Sequence, residues 1–125
     1  MDIQWFSTSM QGIATIYDTN ITLNTVASSN FKTFYTTLIG YEPESNAIVI
    51  KGITKEEITL GLYKGLDTYP ISIKPSYGRI NGKKIVDNIV SFFPLDFSKK
   101  NYYKFKCEWS QKERLLKIFL DREVL

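Results

Sequence analysis

The feature that most constrains this chain is a pattern that occurs twice. Ile13 to Tyr17 alternates like a strand, Asp18-Thr19-Asn20 supplies a tight turn, and Ile21 to Asn24 makes a return strand. Fifty-nine positions on, Tyr69 to Lys74, the turn Pro75-Ser76-Tyr77-Gly78 and the return Arg79-Ile80-Asn81 repeat that shape, with Ile80 where Ile21 stood. The same offset carries into the next segment. Ile85, Val86, Ile89, Val90 and Phe93 form one face of a helix, and their counterparts are Val26, Ala27, Asn30, Phe31 and Phe34, of which only Asn30 is not apolar. Each unit then closes with a second hairpin, now 68 positions apart: Thr36–Tyr41 with Ala47–Ile50, and the alternating Tyr103, Phe105, Cys107, Trp109 with Leu116, Ile118, Leu120. The difference between the offsets implies an insertion of about nine residues, placed at Leu95 to Asn101.

The expected fold is therefore α+β, a single domain over residues 1–125 built from a tandem repeat of β-hairpin, short helix and β-hairpin. The first copy spans residues 10–53, a helical linker 54–68 and the second copy 69–122. Thr25, Ser28 and Ser29 shorten the first helix, because such side chains compete for the backbone, and Pro94 ends the second. In the linker, Thr54 with Glu57 is a capping box, and Gly61 and Gly65 cut the helix short. Gly78 and Gly82 are assigned to turns. Trp5 and Phe6 are expected to pack on the sheet as an extra strand or arm.

Composition narrows the chemistry. The 125 residues contain no histidine and one cysteine, Cys107. The commonest general base and zinc ligand are missing, and one thiol makes neither an internal disulfide nor a cysteine-based metal site. Cys107 falls on the inward side of an alternating strand, where a thiol is inert. Glu56 and Glu57 are adjacent on a helix, so they point apart and serve as caps. No enzyme activity, cofactor or metal is expected. No run approaches the roughly 18 apolar residues that span a bilayer. The N-terminus bears an acid where a secretory signal needs Lys or Arg, so no membrane role and a cytoplasmic location are expected.

Charge is uneven along the chain. Residues 1–62 hold three lysines against six acids, whereas residues 63–125 hold thirteen basic residues against seven acids. Such asymmetry marks a face for an anionic partner, or else a solvated surface. Tyr102, Tyr103, Phe105 and Trp109, interleaved with Lys99, Lys100, Lys104 and Lys106, admit two readings. One is a stacking platform for single-stranded nucleic acid. The other, which strict alternation favours, is the core face of a strand whose lysines face water.

The order of elements resembles the AbrB/MraZ swapped-hairpin family, which MraZ represents with two copies per chain. The second copy carries the most recognisable letters, Lys74 followed by Ser76-Tyr77-Gly78-Arg79-Ile80 and a helix beginning at Lys83-Lys84-Ile85. In the first copy Thr19-Asn20 stands in place of Gly-Arg, and neither copy has the proline that the family places before the helix. The resemblance implies a pseudo-dimeric swapped-hairpin barrel and a transcription regulator. It would hold double-stranded DNA through Lys74, Arg79, Lys83 and Lys84 of the second copy, with a homo-oligomer also admitted. The alternative is a protein-interaction or assembly module without nucleic acid; an enzyme with an unfamiliar site ranks third.

Overall fold

In the computed structural model, residues 2–3 and 11–125 are described; Trp5 and Phe6 lie outside them. The elements are strands β1 (Gly12–Tyr17) and β2 (Asn20–Asn24), helix α1 (Thr25–Ser28) continued by a 3-10 turn (Ser29–Phe31), β3 (Thr36–Glu42), β4 (Ala47–Ile53), α2 (Lys55–Thr59), β5 (Ser72–Ile73), β6 (Tyr77–Asn81), α3 (Lys83–Phe92), β7 (Tyr102–Ser110) and β8 (Leu115–Glu123). All strands join one antiparallel sheet in the order β3-β4-β8-β7-β1-β2-β6-β5, curled into a half-barrel.

Every hairpin finds its outside neighbour in the other half of the chain. β4 pairs with β8, β1 with β7, and β2 with β6. Ile21 stands directly opposite Ile80, and Ile48 opposite Ile118. At the two sheet ends the backbone of Thr37 exchanges both hydrogen bonds with Tyr69, at 3.1 and 2.8 Å, and the Thr37 hydroxyl also donates to the Tyr69 carbonyl. That pair is the seam of the half-barrel.

The alternation seen in the sequence sorts side chains between two faces. Ala14, Ile16, Ile21, Leu23, Ile80, Phe105, Cys107, Leu116, Ile118 and Leu120 turn inward and are buried. The helices close over them. Ile85, Val86 and Ile89 of α3 are buried, each adding about 1.5–3 kcal/mol. α1 begins on Asn24, whose carboxamide accepts from Ala27 N and Ile13 N and donates to Gln11 O, so one side chain caps the helix and ties it to β1. Phe31, Phe34 and Trp109 cluster beside it, with Phe31 and Trp109 centroids 5.1 Å apart.

Two local expectations change. The alternation over 69–74 predicts a full strand, but only Tyr69 and then Ser72–Ile73 pair. Pro70 and Pro75 flank that segment and cannot donate to a ladder. Gly78 lies inside β6 and not in the turn, which runs from Lys74 to Tyr77 and is closed by Lys74 N donating to Tyr77 O. A Cβ at position 78 would sit 2.7 Å from Ser28 Cβ, so glycine lets α1 approach the strand.

α2 starts on the capping box of Thr54 and Glu57. Glu57 has a second task, accepting two hydrogen bonds from the Arg114 guanidinium at 2.8 and 2.9 Å. The connection after β4 is thereby clipped to the β7–β8 turn, where Arg114 has φ 57° and its carbonyl accepts from Gly52 N.

This packing can be probed at two places. A Cβ at Gly52 would fall 2.5 Å from the Phe34 ring, so Gly52→Ala must displace that ring and lower stability by about 1–3 kcal/mol in urea unfolding. The Arg114 hydrogen bonds, helped by Thr54, bring the Glu57 carboxyl down to about 2. A lowered carboxyl stabilises the fold above its unfolded value near 4.5 and loses that contribution as pH falls toward 2. Arg114→Gln should therefore be less stable to urea than wild type at pH 6, by about 1 kcal/mol, and the gap should shrink to about a quarter of that at pH 2.5.

Candidate nucleic-acid interface

Outward-facing residues of β7, β1, β2, β6 and β5 form one continuous face, and its registers can be followed strand by strand. One row runs Lys104, Thr15, Thr22, Arg79, Ser72. On either side of it lie Lys106 opposite Ile13, and Tyr102 opposite Tyr17. From β7 to β6 is three strand spacings, about 14 Å, and Lys104 and Lys106 are about 7 Å apart along β7.

The structure puts Lys74 and Arg79 on this face together. Ser72 is opposite Arg79 across β5 and β6, and Lys74, two residues on, points to the same side. The Arg79 guanidinium lies 5.1 Å from the Tyr77 ring centroid, and its Nε donates to Thr22 Oγ1 at 3.5 Å. These contacts hold it on the outer face, and its remaining donors have no partner among the described residues. Lys83 and Lys84 stand at the rim, exposed in the first turn of α3. At most about 14 Å of chain separates Lys83 from Arg79. Two cations at a helix N-terminus oppose the helix dipole, and the first turn contains no acid to compensate. Lys83 makes a 3.7 Å ion pair with exposed Asp87, too open to hold it firmly.

Lys104 and Lys106 complete the face, and the sequence does not single them out as binding residues. Their alternation with Phe105 and Cys107 shows only that they point outward. Their neighbours on this face come from β1, some 90 residues earlier. Lys104 Nζ rests 5.4 Å from the Tyr102 centroid, and neither lysine has an acidic partner among the described residues. Two acids of β7 and β8 are engaged elsewhere: Glu108 pairs with Arg122 at 3.5 Å and Glu123 with Lys100 at 2.8 Å. Within the rows from Lys104 to Ser72 the outward side chains include no carboxylate.

The aromatic residues of β7 divide cleanly. Phe105 is buried and Tyr103 and Trp109 pack against the core, so they cannot stack on bases. Of the four only Tyr102, 40% exposed, belongs to the outer face. The centre of that face is hydroxyl and amide: Thr15, Thr22, Asn20.

Reactive chemistry is scarce. Among the described residues no cluster of three or more Cys, Asp or Glu side chains is placed to hold a metal, and no helix is long and apolar enough to cross a membrane. Burial pushes the Cys107 thiol up to about 12. Iodoacetamide at pH 8 should therefore modify Cys107 about 100-fold more slowly in the folded protein than in urea. No protein-family model, curated protein or solved structure matches the chain.

Proposed function

We propose that this chain is a cytoplasmic, non-catalytic DNA-binding regulator of swapped-hairpin type. It holds duplex DNA against the outer face of β7, β1, β2, β6 and β5, with Lys83 and Lys84 at the rim. The observation that carries the reading is the set of cations on that face, Lys74, Arg79, Lys104 and Lys106, where the one outward carboxylate of these strands among the described residues, Glu108, is paired with Arg122. A spacing of about 14 Å between Arg79 and Lys104 suits phosphates on either side of a groove about 12 Å wide. Thr15, Thr22 and Asn20 between them offer donors and acceptors to sugar, phosphate or base edges. A single strand would need stacking plates at the centre, where this face has hydroxyls and amides.

The two-copy architecture belongs to the same proposal, and two observations support it. Among the described residues each hairpin is extended only by hairpins of the other half, as in two intertwined subunits. The half-barrel also has two recesses that use corresponding residues. Ile39, Gly40, Tyr41 and Ile48 line one, and Cys107, Glu108, Trp109 and Leu116, each 68 positions later, line the other. Ile85 and Ile89 in the first answer to Val26 and Asn30 in the second, 59 positions earlier. Those are the two offsets found in the sequence. The acidic first copy then completes the core and gives β1 and β2 as the middle of the face.

The test is fluorescence anisotropy with a labelled random duplex at about 50 and 200 mM salt. Binding should weaken steeply with salt, and Arg79→Gln with Lys104→Gln should lower the log–log slope by about 2, since each lost phosphate contact removes about 0.9. Absence of binding at the lower salt, or a slope unchanged in the double variant, sinks the reading.

A further inference from the structure

The sheet has an unfinished edge. Thr37 directs its backbone N–H and C=O away from β4, toward Tyr69. In an antiparallel strand that direction alternates, so Ile39 and Tyr41 point the same way. Beyond Thr37 there is no strand among the described residues to meet them. The chain that would lie opposite, residues 65–68, is not a strand and makes no backbone hydrogen bond to Ile39 or Tyr41; Gly65 has φ 90° and Leu66 sits beside the outer face of β3. Neither Ile39 nor Tyr41 has an outer backbone partner among the described residues. Four main-chain groups are thus presented in strand geometry.

On both sides of this edge the surface is hollowed and apolar. Toward the core a recess of about 150 Å³ lies between Ile39, Tyr69, Ile85, Ile89 and Phe92, with the Asn88 amide at its rim. Phe92 is 58% exposed, and its ring stacks on Tyr41 with centroids 4.5 Å apart. On the outer face a second depression lies over Leu38, Val49, Leu66 and Leu115, and it shares Ile39, Gly40 and Tyr41 with the first. Gly40 widens it: a Cβ there would meet nothing within 4 Å. A strand laid along β3 sends successive side chains to opposite faces, one into each hollow.

Charge describes the ends of such a strand. Asp67 lies just before Tyr69 and Glu44 just past the end of β3, both exposed and neither in an ion pair among the described residues. We infer that the β3 edge from Leu38 to Glu42 accepts an extended peptide segment of a partner protein by strand addition. The segment has two or three consecutive apolar residues flanked on each side by Lys or Arg. Main-chain hydrogen bonds supply affinity, the two hollows select the apolar pair, and Asp67 and Glu44 select the flanking cations. A second copy of this chain suits the edge less well, since antiparallel pairing of two β3 strands sets Glu44 of each toward Asp67 of the other, and Lys51 beside the outer depression already donates to Glu113 O.

The probe is a blocked peptide, Lys-Leu-Val-Leu-Lys, titrated into the isotopically labelled full chain and followed by NMR. The amides of Ile39 and Tyr41 should shift and gain protection from exchange. Methylating one alternate set of peptide amides should abolish binding, while the other set tolerates it. Replacing both peptide lysines with glutamate should weaken binding by about tenfold or more, as should Gly40→Arg, which fills open space and leaves the fold intact. Both methylated peptides binding as well as the parent, or shifts lying elsewhere, overturns the proposal. So does a light-scattering mass of two chains that Gly40→Arg halves, because the edge then holds a second copy. No nucleic acid enters these measurements, so the outcome is independent of DNA binding.

Discussion

The rest of this structure depends on pairing between distant strands. β8 stands between β4 and β7, and without it β3 and β4 would be a free hairpin. An isolated hairpin is marginal in water, and none here is extended by the hairpin nearest to it in its own half. The core inherits this constraint. Ile21 packs with Ile80 across the β2–β6 ladder and Ile48 with Ile118 across the β4–β8 ladder, so neither half has a closed interior by itself. Folding must settle many long-range contacts at once, which favours all-or-none behaviour and a slow approach to it.

How much of this was legible in the sequence depends on the range of the cause. Hairpins and helices of residues 12–53 and 77–120 were legible because period-two and helical stripes are local. Thr54 and Glu57 announced a helix start in the same way. The Arg114 partner of Glu57 was not legible, because nothing near residue 57 points to a cation 57 positions later. Gly78 looked like a turn residue, but the reason for glycine is the side of α1 pressing on β6, a contact between residues 50 apart. Ile71 and Ile73 alternated convincingly, yet flanking prolines limited β5 to two residues.

The candidate interface shows the same division. Arg79, Lys74, Lys83 and Lys84 were singled out as candidates by family likeness, and the fold gathers the first two on one face. Lys104 and Lys106 needed the sheet order, since only the insertion of β1 and β2 between β7 and β6 turns two separate strands into one surface. Absence mattered as much as presence. The outward positions of β1 and β2 are Ile, Thr, Tyr and Asn, so lysines from the basic half meet no acid from the acidic half there.

The seam at Thr37 and Tyr69 gives the molecule an uneven firmness. The β2–β6, β3–β4 and β4–β8 ladders each hold five to seven residue pairs, but here one pair and one hydroxyl close the sheet. Three hydrogen bonds of about 1 kcal/mol each give the seam an opening free energy of about 3 kcal/mol, well below the cost of unfolding a domain. Left to thermal motion, the curled sheet breathes first along this line, as a clasp gives way before the band it closes. Residues 69–73 and the outer edge of β3 are then the shortest-lived part of an otherwise continuous sheet.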